Sequence, residues 1–321
     1  MLDRLPPELL DLVLQLAAPP STILDDWYGA DHRATLRACA LVCRRVSGVA
    51  QGLLWKDFAL VGTDDVAKVW LALLKEGNRR RAMGTRTVLV GGPTDFEGLE
   101  ALLPQFGGLV ELRIDGGHSL KELSVAALAG LPNLRTLDVC DLTLNGDWAN
   151  VCYPSLVRLH LDTVYFYTDA PASPTFFRQD AFPSLRALQL RDLGVDDGEN
   201  YTRGFPTLPL PFLAQLDMLS LSALDLDVLP PSIFSSATPV VLESLSALVR
   251  LCSLPSRLSS LHLPSSLRDI LPDATTFHQL EQACKQHGVE FLWCDGGDDD
   301  IFFHFWRYAS KLGVARLLSS V

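Results

Sequence analysis

Cys39 and Cys43 stand four residues apart in LRACALVCRR, a spacing that puts two thiols on one face of a helix. Two thiols are half of a zinc site, and the sequence offers no second ligand pair at metal-like spacing. The seven histidines are dispersed. Asp295, Asp298, Asp299 and Asp300 crowd carboxylates into one short run and suggest a divalent cation at first sight. Their spacing is not that of an EF-hand loop. An acidic N-terminal cap on a helix from Ile301 to Leu318 explains the run more simply, because carboxylates complement the positive end of the helix dipole. VLVGGPTDFEG reads as following a strand but contains neither G-x-G-x-x-G nor a G-x-x-x-x-G-K-S/T loop. There is no H-E-x-x-H and no G-x-S-x-G. The expectation is a chain that is not an enzyme, with no catalytic residue, no metal site and no cofactor.

Composition narrows the partners. The 321 residues are 48% hydrophobic and 20% charged, with a net charge of -11. Binding to nucleic acid or to anionic membrane needs a surplus of Lys and Arg, so neither is expected. CRR at 43–45 and RRR at 79–81 read as solvated helix ends. The greasy start LDRLPPELLDLVLQL is not a signal peptide, because Asp3 precedes Arg4 and Glu8 and Asp11 interrupt the apolar run. No run reaches the roughly 18 apolar residues of a membrane helix. Seven scattered cysteines, an odd number, read as small hydrophobes of a reducing compartment. The expected location is cytoplasmic or nuclear.

What must position any functional surface is a repeat. L-x-x-L-x-L recurs as LVELRI at 109–114, LRTLDV at 134–139, LVRLHL at 156–161, LRALQL at 185–190, LDMLSL at 216–221 and LSSLHL at 258–263. The intervals are 25, 22, 29, 31 and 42 residues. The first two lie in the leucine-rich-repeat range and the later ones imply insertions. A divergent repeat near PVVLESL at 239–245 would divide the longest interval. TRTVLVGG at 85–92 and VEFLWC at 289–294 read as flanking strands. L-P-N-L at 131–134, Y-P-S-L at 153–156 and F-P-S-L at 182–185 introduce three of the repeats. Residues 85–295 are therefore expected to form an irregular leucine-rich-repeat solenoid with a parallel sheet, each unit burying its apolar face against the next. Residues 296–321 would be a C-terminal capping helix.

Strand alternation sends the hexad leucines inward and the residues between them to the other face. One such column is Arg113, Asp138, His160, Gln189, Ser220 and His262, and the next is Asp115, Cys140, Asp162, Arg191, Ser222 and Pro264. Arg113, Asp138, His160, Asp162, Gln189 and Arg191 are the expected target-binding residues of a concave face; a plain solvated sheet face is the other reading. Three positions after the last hexad leucine stand Leu142, Val164, Leu193 and Leu224, where leucine-rich repeats usually place Asn or Cys. The turns must then satisfy their backbone groups in another way. Tyr165, Phe166, Tyr167, Phe176 and Phe177 crowd the insertion at 164–182. They are either binding anchors or the insertion's own small core.

The first 60 residues read as helices. Pro6 and Pro7 suit a helix start, where the first turn has no use for the missing donor, and Asp3 is a plausible cap. Leu9, Leu10, Val13, Leu14 and Ala17 follow at helical period. A second helical pattern runs from Arg33 to Leu60. So small a domain buries a limited fraction of its surface, so part of this apolar material should stay exposed or meet the rest of the chain.

L-P-P-E-L-L-x-x-V-L-x-L at 5–16, L-R-A-C-A-L-V-C-R-R at 36–45 and L-L-W at 53–55 together resemble an F-box, in order and in spacing. With the repeats, the chain resembles an F-box protein with C-terminal leucine-rich repeats, of the fungal type. The resemblance covers roughly residues 2–60; the expected F-box-like domain is 1–62, with a connecting helix or linker at 63–84. The implied partners are a Skp1-like adaptor, through it a cullin, and an unknown protein substrate. By residue match, Leu5, Pro6, Leu9, Val13, Leu41, Val42 and Trp55 would form or support the docking surface. Val46 stands where the family usually carries Trp, and the segment from Pro19 to Arg33 is longer than usual. The expected fold is α/β overall: a small all-α domain, then the solenoid, then the capping helix. The expected function is the substrate-recognition subunit of a Skp1–cullin–F-box ubiquitin ligase. The alternatives are a repeat scaffold with a degenerate F-box, or a hydrolase or transferase on an unrecognised α/β fold.

Overall fold

The computed structural model describes residues 5–17, 30–75, 77–92, 94–117, 121–146, 150–167, 176–196, 201–203, 208–222, 250, 257–265, 268 and 274–294. Asp3, Leu224, PVVLESL, the acidic run at 295–300 and the expected helix at its C-terminal side lie outside them. The chain divides into two compact units, Met1–Ile114 and Asp115–Val321. That division does not fall at the boundaries expected near residues 62 and 84.

The first unit opens with three helices, α1 Pro7–Ala17, α2 Ala30–Ala40 and α3 Arg44–Lys56. Leu10 and Leu14 of α1, Leu36 of α2 and Val46, Ala50 and Leu53 of α3 make one buried cluster. The single helical run read from 33 to 60 is broken. The amides of Leu41 and Val42 bond three residues back, to Ala38 at 3.1 Å and Cys39 at 3.1 Å. This closes the last turn of α2 tightly. Cys43 is then extended, with φ -161° and ψ 165°, and α3 starts anew. The end of the run is a strand, β1 Asp57–Leu60, not helix. It pairs in parallel with β2 Thr87–Val90, which pairs in parallel with β3 Glu111–Asp115. Two helices, α4 Asp65–Leu73 and α5 Asn78–Met83, fill the expected connection, and α6 Phe96–Leu102 joins β2 to β3. The Asp95 carboxylate caps α6 by accepting from the Gly98 amide at 3.1 Å.

The second unit is built on parallel strands taken in sequence. Its elements are β4 Lys121–Ser124, α7 Val125–Ala129, β5 Thr136–Asn145, β6 Arg158–Tyr167, β7 Ala187–Asp196 and β8 Tyr201–Arg203. Then come α8 Leu210–Leu213, β9 Met218–Ser222, β10 Ser260–Pro264, α9 Ala274–His287 and β11 Glu290–Cys294. The neighbours run β5-β6-β7-β9-β10-β11, with β4 on β5 and the short β8 antiparallel on β7. The architecture is mixed α/β with a parallel sheet. Among the described residues no helix is long and apolar enough to cross a membrane.

All six hexads fall on strands or lead into them, and from Asp138 to His262 the first expected column is the observed register. Leu137 aligns with Leu159, Leu188 and Leu219 in turn, and Leu219 with Leu261. These leucines are buried. The introducers stack as well. Ser155 Oγ donates to the Pro132 carbonyl at 2.7 Å, and Ser184 Oγ to the Pro154 carbonyl at 2.6 Å. These two segments thus each tie a backbone acceptor of the one before.

Strands β5, β6 and β7 run on past the hexads. Asp141, Thr163 and Asp192 are left-handed, with φ of 50°, 52° and 45°, at equivalent places in β5, β6 and β7. Pairing skips them and resumes, Leu142 on Val164 and Val164 on Leu193. The apolar column read from the sequence is therefore a second, buried stretch of ladder beyond a kink. The kink also fixes its neighbour: the Gly116 amide donates to the Cys140 carbonyl at 2.9 Å. A Cβ at Gly116 would collide with the Asp141 carbonyl oxygen.

Asp tolerates the left-handed region, whereas a β-branched Thr is strained there. Thr163→Asn is therefore expected to stabilise the protein by about 0.5–1 kcal/mol. The loss of the Thr163 Oγ1 hydrogen bond to Asp162 Oδ1, at 3.1 Å, works against part of that gain. A urea titration checks it; a lower midpoint for the variant would show that the hydroxyl outweighs the strain.

Candidate functional site

Helix α1 carries two apolar stripes. Leu10 and Leu14 face the cluster of the three helices. Leu9, Leu12, Val13 and Leu16, at i, i+3, i+4 and i+7, form the other, and they are 49%, 52%, 37% and 73% exposed. One helical face of a globular domain is ordinarily apolar; a second one directed outward calls for a cover. Leu41 and Val42, in the break between α2 and α3, are 87% and 66% exposed. The tight turn forces this, because it lifts two consecutive side chains away from the stripe of α2.

Of the residues named from the sequence, Pro6, Leu9, Val13, Leu41 and Val42 are exposed. Leu5 and Trp55 are half-buried. Leu5 packs on the buried cluster, and its carbonyl accepts from Arg45 Nη2 at 2.5 Å. The Trp55 ring lies 5.2 Å from that of Phe58, and the Trp55 carbonyl accepts from Thr85 Oγ1 at 2.7 Å. Val46 is buried among Leu10, Leu14 and Leu53. Leu12 and Leu16 were missed; the i+3 positions of Leu9 and Val13 find them.

The second unit corrects the expected concave face. Asp138, His160 and Gln189 are not at a solvent-facing surface: their exposures are 1%, 1% and 2%. Ser220 and His262, in the same column, are also buried. The physical reason is that alternation divides a strand into two faces without saying which is covered, and here both are. Asp162 and Arg191, in the next column, are partly exposed at 22% and 36%, with Arg191 Nη1 at 3.7 Å from Asp162 Oδ2. Arg113, in the first unit, is mostly buried and paired with Glu111 on its own strand through Nε at 2.7 Å.

The covered polar row runs straight across the sheet, Asp138 beside His160, His160 beside Gln189, Gln189 beside Ser220 and Ser220 beside His262. His160 Nδ1 lies 2.6 Å from Asp138 Oδ1, and His262 Nε2 lies 2.9 Å from Ser260 Oγ. Cys140 Sγ lies 3.9 Å from Asp138 Oδ1. Burial pushes the Cys140 thiol well above its ordinary value, and the carboxylates of Asp138, Asp162, Asp115 and Asp141 push it further. The thiolate is the reactive form, so iodoacetamide at pH 8 is expected to label exposed Cys152 at least about 10-fold faster than Cys140. Peptide mass spectrometry over a time course checks this; equal rates would contradict the burial and charge described here.

The aromatics of the insertion resolve the other way from a binding loop. Tyr165, Phe166, Phe176 and Phe177 are buried, with Phe176 4.7 Å from both Phe166 and Phe177 by ring centroid. They are the insertion's own core.

No protein-family model matches the chain, and no curated protein matches it.

Proposed function

We propose that the chain is a substrate receptor of a Skp1–cullin–F-box ubiquitin ligase, its N-terminal helices an F-box and its repeated strands an irregular leucine-rich-repeat solenoid. The observation that carries this is the outward apolar stripe of α1 together with Leu41 and Val42, on the three segments whose sequence resembles an F-box. The adaptor would cover that stripe. The second unit would hold the target, through its partly exposed polar column at Asp162 and Arg191 and not through the buried row. On this reading the protein performs no chemistry. It holds a target near a ubiquitin-loaded enzyme and makes transfer quasi-intramolecular. A cytoplasmic or nuclear location goes with it.

Co-expression of the full chain with a Skp1 adaptor tests the proposal: a stoichiometric complex through gel filtration is expected. A well-folded chain that elutes without the adaptor refutes it. The second reading, a binding scaffold with a degenerate F-box, is favoured by Val46, which fills the cluster without the large ring the family usually places there.

A further inference from the structure

The geometry points to a binding site for one divalent transition-metal ion of the zinc class, held by the Asp138 carboxylate, the Cys140 thiolate and the His160 imidazole. One donor atom from each residue lies within 4.8 Å of the other two. A tetrahedral site with bonds of about 2.0–2.3 Å has ligand atoms roughly 3.5 Å apart, so small side-chain rotations close the set. Thiolate, imidazole and carboxylate together select a borderline-soft ion over magnesium or calcium, which take oxygen alone.

A second observation is independent of the grouping. Asp138 is buried, and its Oδ2 has no hydrogen-bond partner among the described residues. Farther along the same row the buried Gln189 Oε1 has none either. Buried acceptors without donors are costly and rare, and both of these belong to a face short of positive charge. Four carboxylates act on Cys140, while Arg191 is engaged with Asp162 and Arg158 Nε donates to Thr136 Oγ1 at 3.1 Å. A dication bound here gives the buried Asp138 carboxylate its missing partner. The Cys140 sulfur binds as thiolate, and its proton passes to solvent.

The ligands come from adjacent strands. Asp138 and Cys140 are two apart on β5, on one face, and His160 is the register partner of Asp138 on β6. The 22-residue interval between the two hexads brings them together, so no compact sequence motif records the set.

The test uses the full chain, stripped with a chelator and titrated with cobalt(II). One equivalent is expected to produce a near-ultraviolet thiolate-to-cobalt band that zinc abolishes. Cys140→Ser is expected to remove the band and weaken binding about 100-fold or more, while Cys39→Ser keeps both. Zinc-edge X-ray absorption on the unsubstituted chain gives a readout that does not depend on a variant folding. One sulfur at about 2.3 Å with nitrogen and oxygen at about 2.0 Å is expected. No cobalt band, a band that survives Cys140→Ser, or a shell with no sulfur or with several overturns the proposal.

Discussion

Phe182→Ala is expected to destabilise the second unit by about 3–5 kcal/mol. Phe182 is fully buried, and four rings surround it. Tyr153 stacks on it at 5.2 Å with an interplanar angle of 6°, and Phe176 meets it edge-on at 5.3 Å. Phe177 and Phe212 lie at 6.4 Å and 6.3 Å. Truncation removes the transfer free energy of the ring and leaves a cavity whose walls are themselves rigid rings, so collapse is limited. The aromatic pairs add about 0.5–1.5 kcal/mol each beyond burial. The position also links repeats, because the Phe182 carbonyl accepts from Gln215 Nε2 at 2.9 Å. Phe182→Leu keeps most of the volume and is expected to recover about half of the loss. Urea unfolding followed by near-ultraviolet circular dichroism measures both. A Phe182→Ala loss under about 1 kcal/mol would mean that the insertion aromatics are not the packed core described above.

The double variant Leu9→Asp/Leu41→Asp is expected to lose adaptor binding by about 100-fold or more with little change in stability. Leu9 is half exposed at 49% and Leu41 largely exposed at 87%, so charging them removes little of the packing of the fold. At an interface the same two positions would be desolvated, and each truncated apolar anchor there costs about 2 kcal/mol, more once a carboxylate is buried without a partner. Two such losses multiply to at least the stated factor when the sites are independent. The contrast is Leu10→Ala, which lies on the opposite stripe of the same helix and is fully buried. That change is expected to cost about 2–5 kcal/mol of folding stability. Titration calorimetry with purified Skp1, paired with thermal unfolding, separates the two effects. Equal affinity for the double variant and the unsubstituted chain would place the adaptor elsewhere.

How much of this was legible in the sequence differs from element to element. The hexads gave the strands and even their register, because period two and a shared Leu frame leave one consistent alignment. Thus Asp138, His160, Gln189, Ser220 and His262 were placed in one column and are one row of the sheet. Their burial was not legible: Asp, His and Gln are the residue types of a wet surface, and a single chain of letters does not say what covers a face. The metal-ligand trio was hidden for a related reason, since ligand spacing was sought along the chain and the set is assembled across strands.

The kink at Asp141, Thr163 and Asp192 left a trace in the aligned triplets Cys-Asp-Leu, Asp-Thr-Val and Arg-Asp-Leu, although the Thr in the second breaks the left-handed signature. Strand β1 was missed because Asp57–Leu60 is too short to tell period two from 3.6. The break at Leu41 was missed because no Gly or Pro marks it. The same break is what exposes Leu41 and Val42, so the error fell on residues that the docking proposal depends on.

The most direct test of that proposal is amide hydrogen exchange on the full chain, alone and with saturating Skp1. The account predicts slower exchange over Pro7–Ala17 and around Leu41 and Val42, with β5, β6 and β7 unchanged. Protection confined to the strands, or no protection anywhere in a folded chain, would contradict it.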